Sequence, residues 1–228
     1  MPFSFICALA LGAPPAVPPP AVAGLTHELS SPNTVTRSRA ARELGKLKDQ
    51  AAAAVPELVR TLADADPFVS RDATEALGKI GPAAVPALRD VLRSAEPRVR
   101  IRALQALSKC CPKDHATVAV VAQTLKDDPD ANVRRWAALA LDRIGVTGQG
   151  VIANLTAALA DPDITVRYSA AIALTKYGVE VKIEASARLT PRVVSEIAGL
   201  QGSTTDVLRT ITETFGGKEA PPNEDQRR

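Results

Sequence analysis

A leucine recurs along this chain at nearly constant intervals, and each copy has the same kinds of residue around it. The copies are Leu44, Leu77, Leu107, Leu141 and Leu174, so the steps between them are 33, 30, 34 and 33 residues. An alanine lies four positions before each leucine, and a lysine or arginine lies two positions after it. Periods of about 20 to 50 residues are typical of repeat proteins, whose units bury apolar faces against their neighbours. The chain is therefore predicted to fold into a stack of similar units.

Each unit contains two helical patterns that are separated by a short break. The first pattern carries two apolar residues four positions apart, such as Leu58 and Leu62, which lie on one face of a helix. The second carries a longer apolar stripe, which runs from Val69 to Ile80 in the second unit. Proline stops a helix, aspartate before it caps the next one, and glycine favours a helix end. The prolines at the breaks are Pro32, Pro67, Pro97, Pro129 and Pro162, two of them in Asp66-Pro67 and Asp161-Pro162, and the closing glycines are Gly81, Gly145 and Gly178.

The composition favours an all-α fold. Aromatic residues make up 3% of the chain, and most of the 46% apolar share is alanine, leucine and valine, which suits closely packed helices. We predict a right-handed α-solenoid of about five helix pairs over residues 24–182. Residues 183–217 are predicted to form C-terminal capping helices, and the polar residues 218–228 are predicted to be a disordered tail.

The first 23 residues differ from the rest of the chain. A short apolar run leads into the sequence APPAVPPP and then into Ala21-Val22-Ala23, which resembles a signal-peptide cleavage site. About 20 apolar residues are needed to span a bilayer as a helix, so this run does not predict a membrane span. Two interpretations stay open: a cleaved signal peptide of a secreted or periplasmic protein, and a disordered proline-rich arm on a cytoplasmic protein.

The cysteines and histidines do not predict a catalytic or metal site. Cys7 lies in the leader, and the adjacent pair Cys110 and Cys111 fits neither a disulfide framework nor metal-ligand spacing. Cys110 occupies a position that isoleucine fills in other units, which predicts a small core residue. His27 and His115, the latter expected in a loop, are too few for a Ser/His/Asp relay or a multi-histidine metal centre. We predict no catalytic residues, no metal and no cofactor.

The pattern Val-Arg-x-x-Ala-x-x-Ala-Leu is clearest at 133–141 and 166–174. With units of about 33 residues and Asp-Pro turns, the region from Leu25 to Lys182 resembles HEAT-repeat proteins, especially the short bacterial type of phycobilisome-lyase-related proteins. The Thr-Pro-Leu-His motif of ankyrin repeats and the pattern of tetratricopeptide repeats are absent. The resemblance implies a solenoid whose shared residues are structural.

A row of arginines lies beside the core stripe of the second helices. The family resemblance implies that these arginines bond turn aspartates such as Asp66, Asp128 and Asp161, within or between units. A guanidinium beside a buried seam also needs carboxylate or carbonyl partners. A ligand-binding role for the row is the alternative. The row consists of Arg37, Arg100, Arg134 and Arg167, and Ser70 interrupts it.

Another flank of the second helices, equivalent to positions 72, 75 and 79, is basic with an apolar middle. The resemblance implies that this flank lines the concave face. An exposed tryptophan beside arginine is typical of interaction hot spots. Five aligned cations favour an acidic peptide or a polyanion. The alternative is that the cations are solvated residues that interact with helix C-termini. The predicted partner-binding residues are Lys46, Lys79, Arg102, Lys109, Trp136, Leu139, Arg143 and Lys176.

The predicted function is a non-catalytic, monomeric scaffold that binds a protein or acidic peptide on this concave face, without an ordering cost at binding. The alternative is a lyase-like or modifying accessory factor that holds a small molecule or chromophore there, as the resemblance to phycobilin lyases implies. HEAT-like deoxyhypusine hydroxylases build an iron site from several His-Glu pairs, whereas this chain has one, at His27-Glu28. A single tryptophan and a net charge of +3 do not favour nucleic acid or a HEAT-like DNA glycosylase.

Overall fold

The structure is a computed structural model that describes residues 20–110, 115–145 and 148–179. The regular elements in these ranges are helices, and short 3-10 segments at Lys48–Ala54 and Gly81–Ala84 lead into two of them. The predicted capping helices at 183–217 and the tail at 218–228 lie outside the described residues. The α-helices are α1 (Pro20–Glu28), α2 (Thr34–Leu47), α3 (Val55–Thr61), α4 (Pro67–Ile80), α5 (Val85–Val91), α6 (Pro97–Cys110), α7 (His115–Asp127), α8 (Ala131–Ile144), α9 (Gln149–Ala158) and α10 (Ile164–Lys176).

These helices form consecutive pairs that stack on one another. Each odd-numbered helix packs against the even-numbered helix that follows it, and each even-numbered helix packs against the next even-numbered one. We call the even-numbered helices α2 to α10 the second helices and the odd-numbered ones the first helices. The second helices contact each other more extensively than the first helices do. The predicted all-α solenoid of helix pairs is thereby confirmed, and the second helices form its more tightly packed row.

The repeated leucines form a continuous core along the stack. All five are at most 1% exposed, and the alanines four positions before them are fully buried. Small residues on the second helices let neighbouring units approach closely. A Cβ atom added at Gly45 would lie 2.9 Å from the Cα atom of Ala76 in the next unit. The core therefore connects each unit to its neighbours, as expected for repeats that are not stable alone.

Polar side chains define the starts of four second helices. Each cap accepts hydrogen bonds from two backbone N–H groups of the first turn. Asp66 caps α4 as predicted, because Pro67 directly follows it as the first helical residue. Asp161 does not cap α10, because Pro162 precedes the cap in that unit and Asp163 takes the capping role. The four caps are Asn33, Asp66, Asp130 and Asp163.

Glycine ends three of the second helices, as the sequence predicts. Gly81, Gly145 and Gly178 have φ values of 79°, 67° and 72°, in the left-handed region that disfavours other residues. The first unit has no glycine at this position, and Lys48 adopts a φ of 52° instead. The helix ends were therefore predictable, except for a strained lysine in the first unit.

The first helix begins earlier than the predicted domain boundary at residue 24. Helix α1 starts at Pro20, and Val22 is 1% exposed within the core. Cleavage after Ala23 would therefore remove a core side chain and the first four residues of the helix. Residues 1–19 lie outside the described ranges. Within those ranges, no helix has the length and apolar character that crossing a membrane requires.

Candidate functional site

An arginine on the second helix of one unit bonds an aspartate in the turn of the next. In the most buried example, the Nε and Nη2 atoms of Arg100 donate to the two carboxylate oxygens of Asp128, each at 2.7 Å. Its Nη1 atom donates to the carbonyl oxygens of Ser94 at 2.8 Å and Ala95 at 3.2 Å, in the turn of its own unit. We call this arrangement an arginine clasp. It ties two neighbouring turns together.

The clasp recurs along the stack. Arg37 donates to Asp64 at 2.7 and 2.9 Å, and Arg134 donates to Asp161 at 2.8 and 2.9 Å. Arg167 donates to two carbonyl oxygens of its own turn, at 2.7 and 3.1 Å. The predicted bonding of these arginines to turn aspartates is confirmed for Asp128 and Asp161. It is wrong for Asp66, because that carboxylate caps α4 and Asp64 accepts from Arg37 instead.

Burial gives the clasps a structural role. The side chains of Arg100 and Asp128 are 7% and 6% exposed, and those of the other two clasps are at most 17% exposed. Bidentate bonding of a carboxylate by a guanidinium is strong and geometrically specific. These arginines therefore have their hydrogen-bonding capacity directed at the protein itself, and they offer little to an external ligand.

The Arg37 clasp should affect how the free energy of unfolding depends on pH. Hydrogen bonds from Arg37 hold the pKa of Asp64 below its ordinary value of 3.8, against the opposing effect of burial. Because the pKa is lowered in the folded state, the contribution to stability is present above pH 3.8 and is lost as the pH falls through the folded value. Asp64→Asn should therefore show a shallower loss of unfolding free energy than the wild type between about pH 4 and pH 2.

Urea unfolding at a series of pH values measures this difference. Asp90→Asn is the matched control, because the Asp90 side chain is 79% exposed and pairs with Arg93 only at 3.7 Å. The control should follow the wild-type slope. Parallel slopes for Asp64→Asn and the wild type would show that the clasp does not set the acid response.

The second helices carry most of the basic charge. Within their bounds they contain fifteen lysines and arginines against four aspartates and glutamates. The first helices contain three basic residues against four acidic ones. The small net charge of +3 therefore conceals a strong separation of charge between the two helix rows. An anionic partner would be attracted to the second-helix row.

The repeat cations two positions after each leucine are all exposed. Lys109 pairs with Glu75, and Lys176 pairs with Asp142 at 2.5 Å, so each links its unit to the preceding one. Lys46 pairs with Glu43 in its own helix at 2.7 Å. These ion pairs were not predicted, although the sequence has an acidic residue 34 positions before each of these two lysines.

The other two repeat cations have no such acidic neighbour. Lys79 and Arg143 are exposed, and neither lies within 4.0 Å of a carboxylate in the part of the chain that the structure describes. Their charges are therefore available to an external anion. They lie on α4 and α8, so a binding segment that contacted both would also pass the intervening α6.

The other predicted contact residues are more buried than expected. Trp136 is half-buried and packs against the core, and Leu139 is 6% exposed, so they do not form an exposed hot spot. Asp72 and Ile172 on the same flank are 7% and 3% exposed. This flank faces neighbouring helices as well as solvent. The side chain of Arg102 is half-buried, and burial together with the nearby Arg98 and Arg71 lowers its pKa.

The histidines and the described cysteine contribute no reactive cluster. His27 and His115 are exposed, and His115 begins α7 rather than lying in the expected loop. Cys110 is 7% exposed and its thiol donates to the carbonyl oxygen of Leu77 at 3.2 Å, which confirms it as a core residue. In residues 20–110, 115–145 and 148–179, no group of three or more His, Cys, Asp or Glu residues could hold a metal ion.

Several solved structures are similar to this chain over most of its length. The complex of CpcE and CpcF of phycocyanin lyase from Nostoc sp. PCC7120 is 24% identical, with a TM-score of 0.48 over 88% of this chain and 76% of that one. YibA of Escherichia coli is 22% identical, with a TM-score of 0.48 over 86% and 77% of the two chains. A designed armadillo repeat protein in complex with the peptide (KR)4 is 18% identical, with a TM-score of 0.45 over 90% and 94%. These likenesses concern the fold.

No curated protein sequence matches this chain. The family model for HEAT repeats matches residues 22–108, 85–175 and 118–208, which together include all five repeat leucines. The matched ranges also include the three arginine clasps. The stacked helix pairs, the continuous leucine and alanine core and this match lead to one conclusion: the chain belongs to the HEAT-repeat family.

Proposed function

We propose that this chain is a non-catalytic scaffold that binds an acidic segment of a partner protein on the face formed by the second helices. The observation that supports this proposal is the excess of basic residues on the second helices. Besides the four arginines that bond the turns, these helices carry eleven basic against four acidic residues. Charge of one sign on one face speeds encounter with a partner of opposite charge and disfavours other partners. The second helices are therefore the expected site of contact.

The exposed residues on this face have the chemistry that an acidic segment needs. Lys79 and Arg143 offer charges without a carboxylate within 4.0 Å among the described residues. Phe68 is 60% exposed, and the guanidinium carbon of Arg71 lies 5.2 Å from its ring centroid. An aromatic side chain beside arginine is typical of interaction hot spots. We therefore expect a partner segment that combines acidic residues with an apolar one.

The fold supports binding without large rearrangement. The second helices are joined by a continuous core and by clasps between turns, so their side chains are held at set spacings. A preorganised surface loses little conformational entropy when a partner binds. Binding energy would then come from charge and from the few exposed apolar contacts.

A pair of labelled peptides tests the proposal by fluorescence anisotropy. We expect an octaglutamate peptide to bind and an octalysine peptide not to bind. The double variant Lys79→Glu/Arg143→Glu should weaken octaglutamate binding by about tenfold or more, because two attractive charges become repulsive. The matched control is Arg60→Glu/Lys126→Glu, which reverses two exposed charges on the first helices.

The control should change the affinity by less than about twofold. Equal weakening by the two double variants would show a general charge effect without a preferred face. Failure of the wild type to bind octaglutamate, or equal binding of octalysine, would overturn the acidic-partner proposal itself.

A further inference from the structure

One interface in the stack lacks the arginine clasp, and both of its partners are replaced together. Ser70 stands 33 residues after Arg37 and 30 before Arg100, where the other units have the clasp arginine. Ser94 stands 30 residues after Asp64 and 34 before Asp128, where the next turn should have the aspartate. Loss of one partner alone would leave a buried charge uncompensated, whereas loss of both does not. The interface between α4 and α6 is therefore built differently from the interfaces that contain a clasp.

The missing arginine leaves space at this interface. The hydroxyl of Ser70 donates to the carbonyl oxygen of Asp66 at 3.1 Å, so it stays against its own helix. The carbonyl oxygens of Asp64 and Ala65 correspond to those that accept from arginine in the other units, and no described residue donates to them. A cavity of about 250 Å³ lies here, with Ser70, Asp64 and Ala65 in its wall. A water occupies about 30 Å³ of liquid, so the cavity has room for a small side chain.

The opposite wall of the cavity is basic. Arg98 and Arg102 of α6 line it together with one acidic residue, Glu96. Arg71 of α4 is close enough to act electrostatically on Arg102. Arg102 has no carboxylate within 4.0 Å among the described residues. Arg98 pairs with Glu96 at 3.8 Å, and both of these side chains are more than half exposed, so the pair is weak. Arg98 can therefore turn to another anion at little cost.

The remaining charges around the cavity are already compensated. The Asp64 carboxylate accepts two hydrogen bonds from Arg37. The Asp72 carboxylate, next to Arg71, accepts a hydrogen bond from Ser38 at 2.5 Å and lies 3.6 Å from the guanidinium of Arg42. Arg71 lies 3.9 Å from Asp72. The charge that remains is that of Arg102 together with Arg98, whose pair with Glu96 is weak, so the cavity attracts an anion more strongly than a cation. Because Arg102 is half-buried, its attraction to a bound anion is stronger than that of a fully exposed arginine, since charge interactions strengthen as water is excluded.

We propose that this cavity is an anion site in which the guanidinium groups of Arg98 and Arg102 hold a side-chain carboxylate of the partner. The cavity and its arginines support the anion site itself. The assignment of that site to a protein partner rests on the proposed function. The exposed Phe68 and Arg71 lie beside it on α4, so an apolar residue next to the carboxylate can pack there. Binding would occupy the space that the clasp fills at other interfaces.

The test uses the full chain, with glutarate as a small dicarboxylate probe and octaglutamate as a peptide probe. The Nε–H resonances of Arg98 and Arg102, assigned with Arg98→Lys and Arg102→Lys, should shift with glutarate, while that of the exposed Arg60 should not. The variant Ser70→Arg/Ser94→Asp rebuilds the clasp, fills the cavity and leaves the net charge unchanged. It should melt no lower than the wild type, lose the glutarate shifts and bind octaglutamate at least about fivefold more weakly.

Single charge removals separate the cavity from the rest of the face. Arg102→Gln should weaken octaglutamate binding by about fivefold or more, and Arg39→Gln, which removes an exposed second-helix charge outside the cavity that pairs with Glu28, by no more than about twofold. Equal weakening by the two, with normal binding by the rebuilt-clasp variant, would overturn the cavity proposal and leave the proposed function intact. Glutarate shifts at Arg98 and Arg102 without octaglutamate binding would support the anion site and overturn the proposed function.

A cationic probe tests the alternative that the cavity binds a cation rather than an anion. N-acetyl-arginine amide resembles the missing clasp side chain and could reach the carbonyl oxygens of Asp64 and Ala65. If this probe shifts the Ser70 amide resonance while glutarate leaves Arg98 and Arg102 unchanged, the cavity takes a cation and the proposal is overturned. Absence of any shift with glutarate at the arginines also overturns it.

Discussion

Replacing Arg100 with alanine should lower the free energy of unfolding by about 3 to 5 kcal/mol. The variant leaves the Asp128 carboxylate, which is 6% exposed on its side chain, without the guanidinium that donates two hydrogen bonds to it. It also removes the donors to the carbonyl oxygens of Ser94 and Ala95. A buried charge without a partner costs far more than a solvent-exposed ion pair contributes. Urea unfolding followed by circular dichroism measures the change.

The double variant Arg100→Met/Asp128→Leu separates the cost of a stranded charge from the value of the clasp. Removing both charges should be less destabilising than Arg100→Ala alone, because no buried carboxylate remains. The surface control is Lys46→Ala, whose exposed pair with Glu43 should contribute little to stability because solvent screens it. A loss for Arg100→Ala as small as that of this control would show that the clasp does not stabilise the stack.

Replacing Leu77 with alanine should cost about 2 to 5 kcal/mol and loosen several units together. Leu77 is fully buried in the second unit, and α4 packs against both α2 and α6. The shorter side chain loses its burial and leaves a space that rigid neighbouring helices cannot fill completely. Because each unit is stabilised by its neighbours, the loss should spread to the adjacent units. Urea unfolding and amide hydrogen exchange measure the size and the extent of this effect.

Val35→Ala is the matched control, since Val35 lies on the adjacent second helix and is 72% exposed. It should change the unfolding free energy by less than about 0.5 kcal/mol. Faster exchange confined to α4 in the Leu77 variant would indicate that the units are independent. A cost as small as that of Val35→Ala would contradict the inward placement of the leucine.

The core and the helix ends were predictable because they depend on local spacing. The apolar stripe of α4 repeats with a helical period, which predicts a buried face wherever the helix lies. Gly81, Gly145 and Gly178 end helices because their backbone conformation disfavours other residues. Asp66 was a recognisable cap because Pro67 follows it directly. Each of these inferences needs only the residues of one helix and its turn.

The candidate site was less predictable because it depends on how neighbouring units are placed. The spacing along one helix gave no reason to pair Lys109 with Glu75, which lies 34 residues earlier. It also did not reveal that Leu139 is buried although it lies on the flank expected to face a partner. The joint replacement at Ser70 and Ser94 could not be recognised from the sequence, because the contact between these two positions is known only from the clasps in the other units. Contacts between units were thus the missing information.

The most direct test of the central claim is a map of where an acidic segment binds. Backbone amide resonances of the full chain can be followed by NMR as octaglutamate is added. The scaffold account predicts that the largest shifts fall on the second helices α4, α6 and α8, with α5 and α7 nearly unchanged. Shifts concentrated on the first helices, or spread evenly over both rows, would contradict it.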